Sequence, residues 1–367
     1  MSPPRVAAFT DSYLPTVNGV TYTVRTWRER WQRRGGRMDV VYPESEHDPD
    51  PGEHPVGSLP FPFYDGFRVG VPSVPEAVAS ADLVHAHTPF GLGIAGLRLA
   101  RRHELPVVAH YHTPTSEYAK YLAFADPIER AIERSAEGYE RRFLDRTDLV
   151  VAPSERTAEH VRGTVGTATE VAVVSNGVDV DVFRPVDATA FRERHGLPEG
   201  PLVGYTGRHG YEKSLDAILD AATELDVTLV FGGNGPARAD LKSHAHEVDV
   251  DAHFLGFLDR EELPAFYSAL DVFAFPSPVE TQGIAALEAN ACGTPVAGIA
   301  SAALADTIDQ GETGYKAPPG DVAAFRDVIR RTLTERDRLR ETCLDRRDGV
   351  SVEHSVDRLA EVYDWVL

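Results

Sequence analysis

Pro276-Ser-Pro-Val-Glu-Thr-Gln-Gly-Ile-Ala-Ala-Leu-Glu-Ala-Asn-Ala-Cys-Gly-Thr-Pro295 is the stretch on which the reading of the fold turns. The apolar run Asp271-Val-Phe-Ala-Phe275 before it has the length of a strand, and Val296-Ala-Gly-Ile299 after it reads as another. The composition of Gly283 to Ala291 predicts a helix between them, with Thr281 as N-cap and Gly293 with Pro295 as the stop. A helix whose unpaired N–H groups open at the end of a strand suits an anion, here a phosphate. Glu280 and Glu288 flank that helix start. Two carboxylates are repelled by a phosphate, so they are expected to accept hydrogen bonds from neutral hydroxyls. A ligand with phosphate and many hydroxyls is a nucleotide sugar.

Glu280, seven intervening residues, Glu288 and then Ala-Asn-Ala-Cys-Gly-Thr-Pro-Val resembles the retaining glycosyltransferases of family 4. The resemblance implies the α/β GT-B fold, two Rossmann-like doubly wound parallel-sheet domains facing across a cleft. It gives Glu280 the sugar hydroxyls and Glu288 the ribose, with Gln282, Gly283 and Ile284 also at the donor. Many members of that family carry Phe where Gln282 stands. The Glu-Thr-Gln-Gly form looks most like members that glycosylate membrane lipids or lipid-linked acceptors.

At 367 residues the chain exceeds one ordinary core and suits two domains. A formal charge of −20 opposes binding to nucleic acid. Lysine occurs only at 120, 213, 242 and 316, against 57 Asp and Glu, an imbalance that points to a protein dissolved in molar salt, a halophile. Cys292 and Cys343 are too few for a disulfide framework. With no secretory signal at Met1 and no run of membrane-spanning length, a cytoplasmic location is expected.

Val6-Ala-Ala-Phe9 predicts the first strand, and the loop to Asn18-Gly19 leads into a helix. Asn-Gly alone is more often a turn than a ligand loop, but its place after the first strand favours an anion site. The resemblance adds that this loop reaches the donor diphosphate through backbone N–H, with Gly19 allowing close approach. On the helix, Val20, Val24, Trp27 and Trp31 share a face, expected to lie on the sheet while the neighbouring arginines are solvated. Residues 43–75 read as irregular loops and short strands. The strands at 82–87 and 107–112 each end in His-x-His, with both histidines of a pair on one face. Such pairs raise a metal-dependent hydrolase as the alternative class, but no acidic ligands are arranged to complete a site, and strand ends pointing into a cleft fit better. His112-Thr-Pro resembles the family's turn against the donor sugar, with Glu117 and Tyr118 in a neighbouring acceptor loop. His110 reads as an ordinary strand residue.

Ile128, Ile132, Tyr139 and Phe143 form an apolar helical stripe. Helices of this domain touch the membrane in lipid-modifying relatives, so peripheral membrane contact is a further expectation. The Asn-Gly-Val-Asp and Phe-Arg-Pro segments ending at Pro185 resemble the exit from the first domain. That gives residues 1–185 to the acceptor-side domain, 186–350 to the donor domain and 351–367 to a terminal helix crossing back. In the second domain, Arg208 at a strand end and Lys213 at the next helix start are placed to converge on a diphosphate, a spacing that resembles the family's clamp. Gly233 and Asn234 form a second glycine turn beside it. Catalytic roles fall to His112, Arg208, Lys213 and Glu280, with no metal. The expected reaction is retaining transfer of a hexose, UDP-glucose favoured and GDP-mannose the alternative, to a lipid or lipid-linked saccharide, or else to a soluble sugar or polysaccharide.

Overall fold

The structure is a computed structural model; it describes residues 3–16, 18–60, 68–112 and 126–367, the side chains of 126–134 excepted. The expected acceptor loop with Glu117 and Tyr118, and the side chains of Ile128 and Ile132, lie outside the described residues. By packing the chain divides into two units, residues 1–176 with 355–367, and residues 177–354.

The first unit is built on seven parallel strands: β1 (Arg5–Phe9), β2 (Arg37–Pro43), β3 (Glu53–Val56), β6 (Leu83–Ala86), β7 (Val107–His110), β8 (Leu149–Ala152) and β9 (Val171–Val173). Their spatial order is β3-β2-β1-β6-β7-β8-β9. A separate antiparallel pair, β4 (Ser58–Pro60) and β5 (Arg68–Gly70), lies in the segment expected to hold irregular loops and short strands. The strands read as continuous apolar runs because helices cover both faces of the sheet. The helix Gly19–Arg33 buries Val24, Trp27 and Trp31 as its spacing predicts. Its arginines are not all solvated, however. Arg28 is buried, with Nη1 donating to Glu53 at 2.9 Å and Nη2 to the Pro51 carbonyl at 2.6 Å. Tyr13 and His47 also bond Glu53. A guanidinium can be buried where a carboxylate and carbonyls meet its donors, and Glu53 comes from a strand that the periodicity of the helix does not reveal.

The second unit has six parallel strands: β10 (Leu202–Thr206), β11 (Thr228–Gly232), β12 (Ala252–Gly256), β13 (Val272–Phe275), β14 (Val296–Ile299) and β15 (Gly314–Ala317). The order is β12-β11-β10-β13-β14-β15. In both sheets the winding reverses beside the first strand, between β1 and β6 and between β10 and β13. Open α/β sheets bind ligands outside the carboxyl ends of their strands at such reversals.

The division falls earlier than the expected Pro185. Val178 N donates to the Val350 carbonyl and Val352 N to the Val178 carbonyl, both at 2.9 Å, and Phe183 is fully buried in the second unit's core. The exit segment therefore belongs to the second unit. Of the terminal helix Val352–Val366, residues from Ser355 onward pack on the first unit, where Tyr363 meets Trp31 edge to face at 5.1 Å.

Candidate functional site

In the second unit the sequence-predicted residues gather at the reversal between β10 and β13. β10 delivers Gly207-Arg208 and β13 delivers the loop to Glu280. Lys213, in a 3-10 turn over Tyr211–Lys213, donates its Nζ to Glu280 Oε1 at 2.7 Å and to the Val279 carbonyl at 3.3 Å. Both side chains are less than a fifth exposed. Arg208 pairs with Glu212. The fully buried Tyr205 phenol ties these groups to one place. Burial first, then the charges of Glu280 and Glu212, push it well above its ordinary value, while Arg208 pulls it down.

The helix beside them runs Ile284–Ala291, and its N-cap is Gly283, at φ +78°, with no side-chain cap. Thr281 is not the cap, contrary to expectation. The chain turns into the helix through a left-handed residue, a conformation glycine accepts and threonine does not. The first-turn amides are thus left without a capping side chain, and no acid stands among them. Gln282 is buried, its carbonyl accepting from the Thr307 hydroxyl. Gly233, at φ +107°, packs against Gly207 so closely that a Cβ would lie 1.9 Å from the Gly207 carbonyl oxygen. His209 N donates to the Asn234 carbonyl at 2.8 Å. The second glycine turn is therefore laced to the loop that carries Arg208.

Glu288 is buried inside this unit. Its Oε2 accepts from Tyr267 at 2.8 Å and its Oε1 lies 3.6 Å from Arg260. Burial raises its pKa, against Arg260 and the Tyr267 hydrogen bond. Neither partner is legible in the sequence, because both come from the segment around the preceding helix, Leu263–Ala269.

In the first unit, Asn18 is the N-cap of the helix Gly19–Arg33. Its Oδ1 accepts from Thr21 N at 2.9 Å and its Nδ2 donates to Ser12 Oγ at 2.7 Å. The side chain is therefore committed to the helix, and Gly19 is the first helical residue. Asp11, which the sequence reading passed over, is buried and accepts from Thr88 Oγ1 at 2.7 Å and from the amides of Gly70 and Leu92. It joins the end of β1 to the start of the helix Gly91–His103.

The histidine pairs do share a face, and all four rings are buried, His112 the least of them. His85, His87, His110 and His112 form a stack under Trp27, whose ring centroid is 5.1 Å from that of His110. Ala86 pairs with Ala109 across β6 and β7, which sets the two pairs side by side. Burial pushes His85 and His112 down to about 3 and His87 and His110 well below the usual histidine value. His85 Nδ1 is 2.7 Å from the Tyr363 hydroxyl. His110, read as an ordinary strand residue, has no hydrogen-bond partner on either ring nitrogen among the described residues.

Ring nitrogens of His85, His87 and His110 lie within 4.8 Å of one another, close enough to raise the metal reading again. A metal lies near the plane of every imidazole that binds it. The rings of His85 and His87 meet face to face, centroids 4.1 Å and planes 27° apart, so their in-plane lone pairs do not converge. The cluster is a packed core, which does not support the metal-dependent hydrolase.

The sequence model of Glycosyltransferase Family 4 matches residues 17–182, and that of Glycosyl transferases group 1 matches residues 187–346. The chain is 30% identical to the Alpha-monoglucosyldiacylglycerol synthase of Streptococcus pneumoniae over 80% of its own length and 70% of that protein's. It is 31% identical to the GDP-mannose-dependent alpha-mannosyltransferase of Mycobacterium tuberculosis, over 91% of this chain and 89% of the relative. The solved sucrose-phosphate synthase from Thermosynechococcus elongatus superposes with a TM-score of 0.80 at 22% identity, covering 99% of this chain and 98% of that one, a likeness of fold. Two doubly wound parallel-sheet units of this kind make the GT-B class of glycosyltransferase. The chain belongs to glycosyltransferase family 4.

Proposed function

We propose that the protein is a retaining hexosyltransferase that takes its sugar from a nucleoside diphosphate donor, UDP-glucose in the favoured form, and gives it to a membrane lipid or lipid-linked saccharide. The observation that carries this reading is the Lys213–Glu280 contact at the β10/β13 reversal, beside Arg208 and the uncapped helix at Gly283. In the reaction the bond from the anomeric carbon to the diphosphate oxygen breaks as the bond to the acceptor oxygen forms on the same face. The acceptor proton passes to the departing phosphate. Charge then grows on the diphosphate, where Arg208, Lys213 and the amides of Gly283 and Ile284 would meet it. Glu280, released by Lys213, accepts from sugar hydroxyls. Glu288 keeps one oxygen on Tyr267 and offers Oε1 to the ribose. His112 bonds a hydroxyl of the transferred sugar. No metal is assigned a role.

The lipid acceptor is supported by the streptococcal relative, an alpha-monoglucosyldiacylglycerol synthase, and by the Gln282 form of the signature. The mycobacterial relative favours a second reading, GDP-mannose as donor. Among the described residues no helix is long and apolar enough to cross a membrane. With a lipid as acceptor we propose peripheral contact from the cytoplasmic side and, from the excess of acids over lysine, a protein adapted to molar salt.

UDP-glucose, UDP-galactose and GDP-mannose offered with diacylglycerol vesicles test the reading, with and without a chelator. Transfer with the α-anomer retained, undiminished by chelator, is expected. Lys213→Ala and Glu280→Ala should each lower turnover by about 100-fold or more while the far-UV spectrum stays unchanged. Near-normal turnover in both would sink the assignment.

A further inference from the structure

Among the four stacked histidines, His87 and His112 are joined by a hydrogen bond, His87 Nδ1 to His112 Nε2 at 3.0 Å. His112 is the least enclosed of the four, 8% exposed against 2% for His87. Burial keeps both rings neutral, so each carries one ring proton. Two neutral imidazoles can share one hydrogen bond in two ways. If His112 donates from Nε2, then His87 must carry its proton on Nε2, which is buried and has no partner among the described residues. If His87 donates from Nδ1, its Nε2 is a bare lone pair and His112 carries its proton on Nδ1. Orphaned buried N–H donors are the rarer defect in folded proteins, which favours the second arrangement.

We propose that His87 is a positioning residue: by donating from Nδ1 it fixes His112 as the Nδ1–H tautomer, so that His112 meets its ligand as a hydrogen-bond donor in a set direction. The ligand half of this rests on His112 contacting the donor sugar, as proposed above; the tautomer half does not. A donor there suits a ligand whose surface is hydroxyl and phosphate oxygen. The other rings serve the arrangement by packing. His110 stacks on His112 with centroids 3.8 Å apart, and His85 stacks on His87, so neither member of the pair has room to turn.

The test reads the tautomer directly, without substrate, from the ring nitrogen shifts of 15N-histidine-labelled protein, the His112 signals being assigned by their loss in His112→Ala. Wild type should show a protonated Nδ1 and a bare Nε2 on His112. His87→Asn, whose amide N–H can stand near the position of Nδ1, should keep that pattern. His87→Leu should release it to a mixture of tautomers and lower kcat by about tenfold with little change in KM for the nucleotide sugar. A proton on His112 Nε2 in the wild type, or a His112 signal unaltered by His87→Leu in a folded protein, overturns the proposal. If the tautomer is as stated and no nucleotide sugar reacts, the reading of function fails and the positioning role stands.

Discussion

Gly283 and Gly233 both hold positive φ in the loops after β13 and β11, yet they should answer differently to a methyl group. At Gly283 a Cβ would fall 2.7 Å from Leu304 Cδ2, the end of a flexible side chain. At Gly233 it would fall 1.9 Å from a backbone carbonyl oxygen, which cannot step aside without moving β10's loop. Left-handed strain alone costs roughly 1–3 kcal/mol. Gly283→Ala should stay near that range in a denaturant titration, and Gly233→Ala should exceed it; the reverse order would mean the two loops are not packed as described. The histidines give a second residue-scale expectation. His85 and His112, at about 3 in the fold, have an unfolded value of 6.5, and His87 and His110 are lowered too. As pH falls below 6.5 the unfolded chain takes up protons that the folded one refuses, so stability is full above that pH and drains as pH falls toward 3. The slope is about 1.4 kcal/mol per pH unit for each histidine held neutral. Asp11 and Glu288, raised by burial, work the other way, their contribution being lost as pH rises past their unfolded values. His209 is lowered as well, and carboxylates held low, such as Glu53 and Asp82, also lose stability as pH falls, so the net is a loss in acid. Urea midpoints at about pH 7.5 and about pH 5 should therefore differ strongly, and equal midpoints would show the cluster titrating as if it were open to water.

At the scale of elements, Tyr363 holds the terminal helix to the first unit through a buried hydrogen bond to His85 and an edge contact with Trp31, and Asp357 adds an exposed pair with Arg34. Tyr363→Phe keeps the ring and removes the hydroxyl, leaving His85 without that partner, at a cost of about 1–3 kcal/mol. If the loss is that of an exposed hydroxyl, a few tenths, the helix end is loosely held. The same contact shows where sequence reading stops. Apolar runs gave strands almost to the residue, Val296–Ile299 among them, because a strand buried on both faces is written locally. Periodicity put Trp27 on the sheet and both histidines of each pair on one face. What periodicity does not carry is the identity of the partner across space: Tyr363 over His85, Glu53 under Arg28, Tyr267 on Glu288, Val350 beside Val178. Those missing partners account for the corrections. Of the four histidines, His85 is covered by an aromatic from the far end of the chain, and a segment expected to close the first domain is stitched into the second. The helix start was missed for a different reason, since Thr281 has the better capping side chain and Gly283 has the φ.

At the scale of the whole molecule, the charge of −20 is the term that no single contact offsets. Arginines do pair with surface acids, as Arg5 with Asp82 and Arg346 with Asp309, but exposed pairs of this kind are worth about 0–1 kcal/mol each and weaken in salt. Self-repulsion of the surplus acids acts over many distances at once and favours expansion. Added KCl screens both, the Debye length falling from about 10 Å at 0.1 M to about 3 Å at 1 M. Because the surplus exceeds what the pairs return, the melting temperature should climb with KCl over that interval. Screening has little left to do once the length is near that of a contact, so a rise due to charge alone should flatten beyond about 1 M. A rise that instead continues, and is larger in sulfate than in chloride at equal ionic strength, would assign the effect to exclusion of salt from the surface. A melting temperature flat throughout would remove the case for adaptation to salt, leaving the acids a matter of solubility.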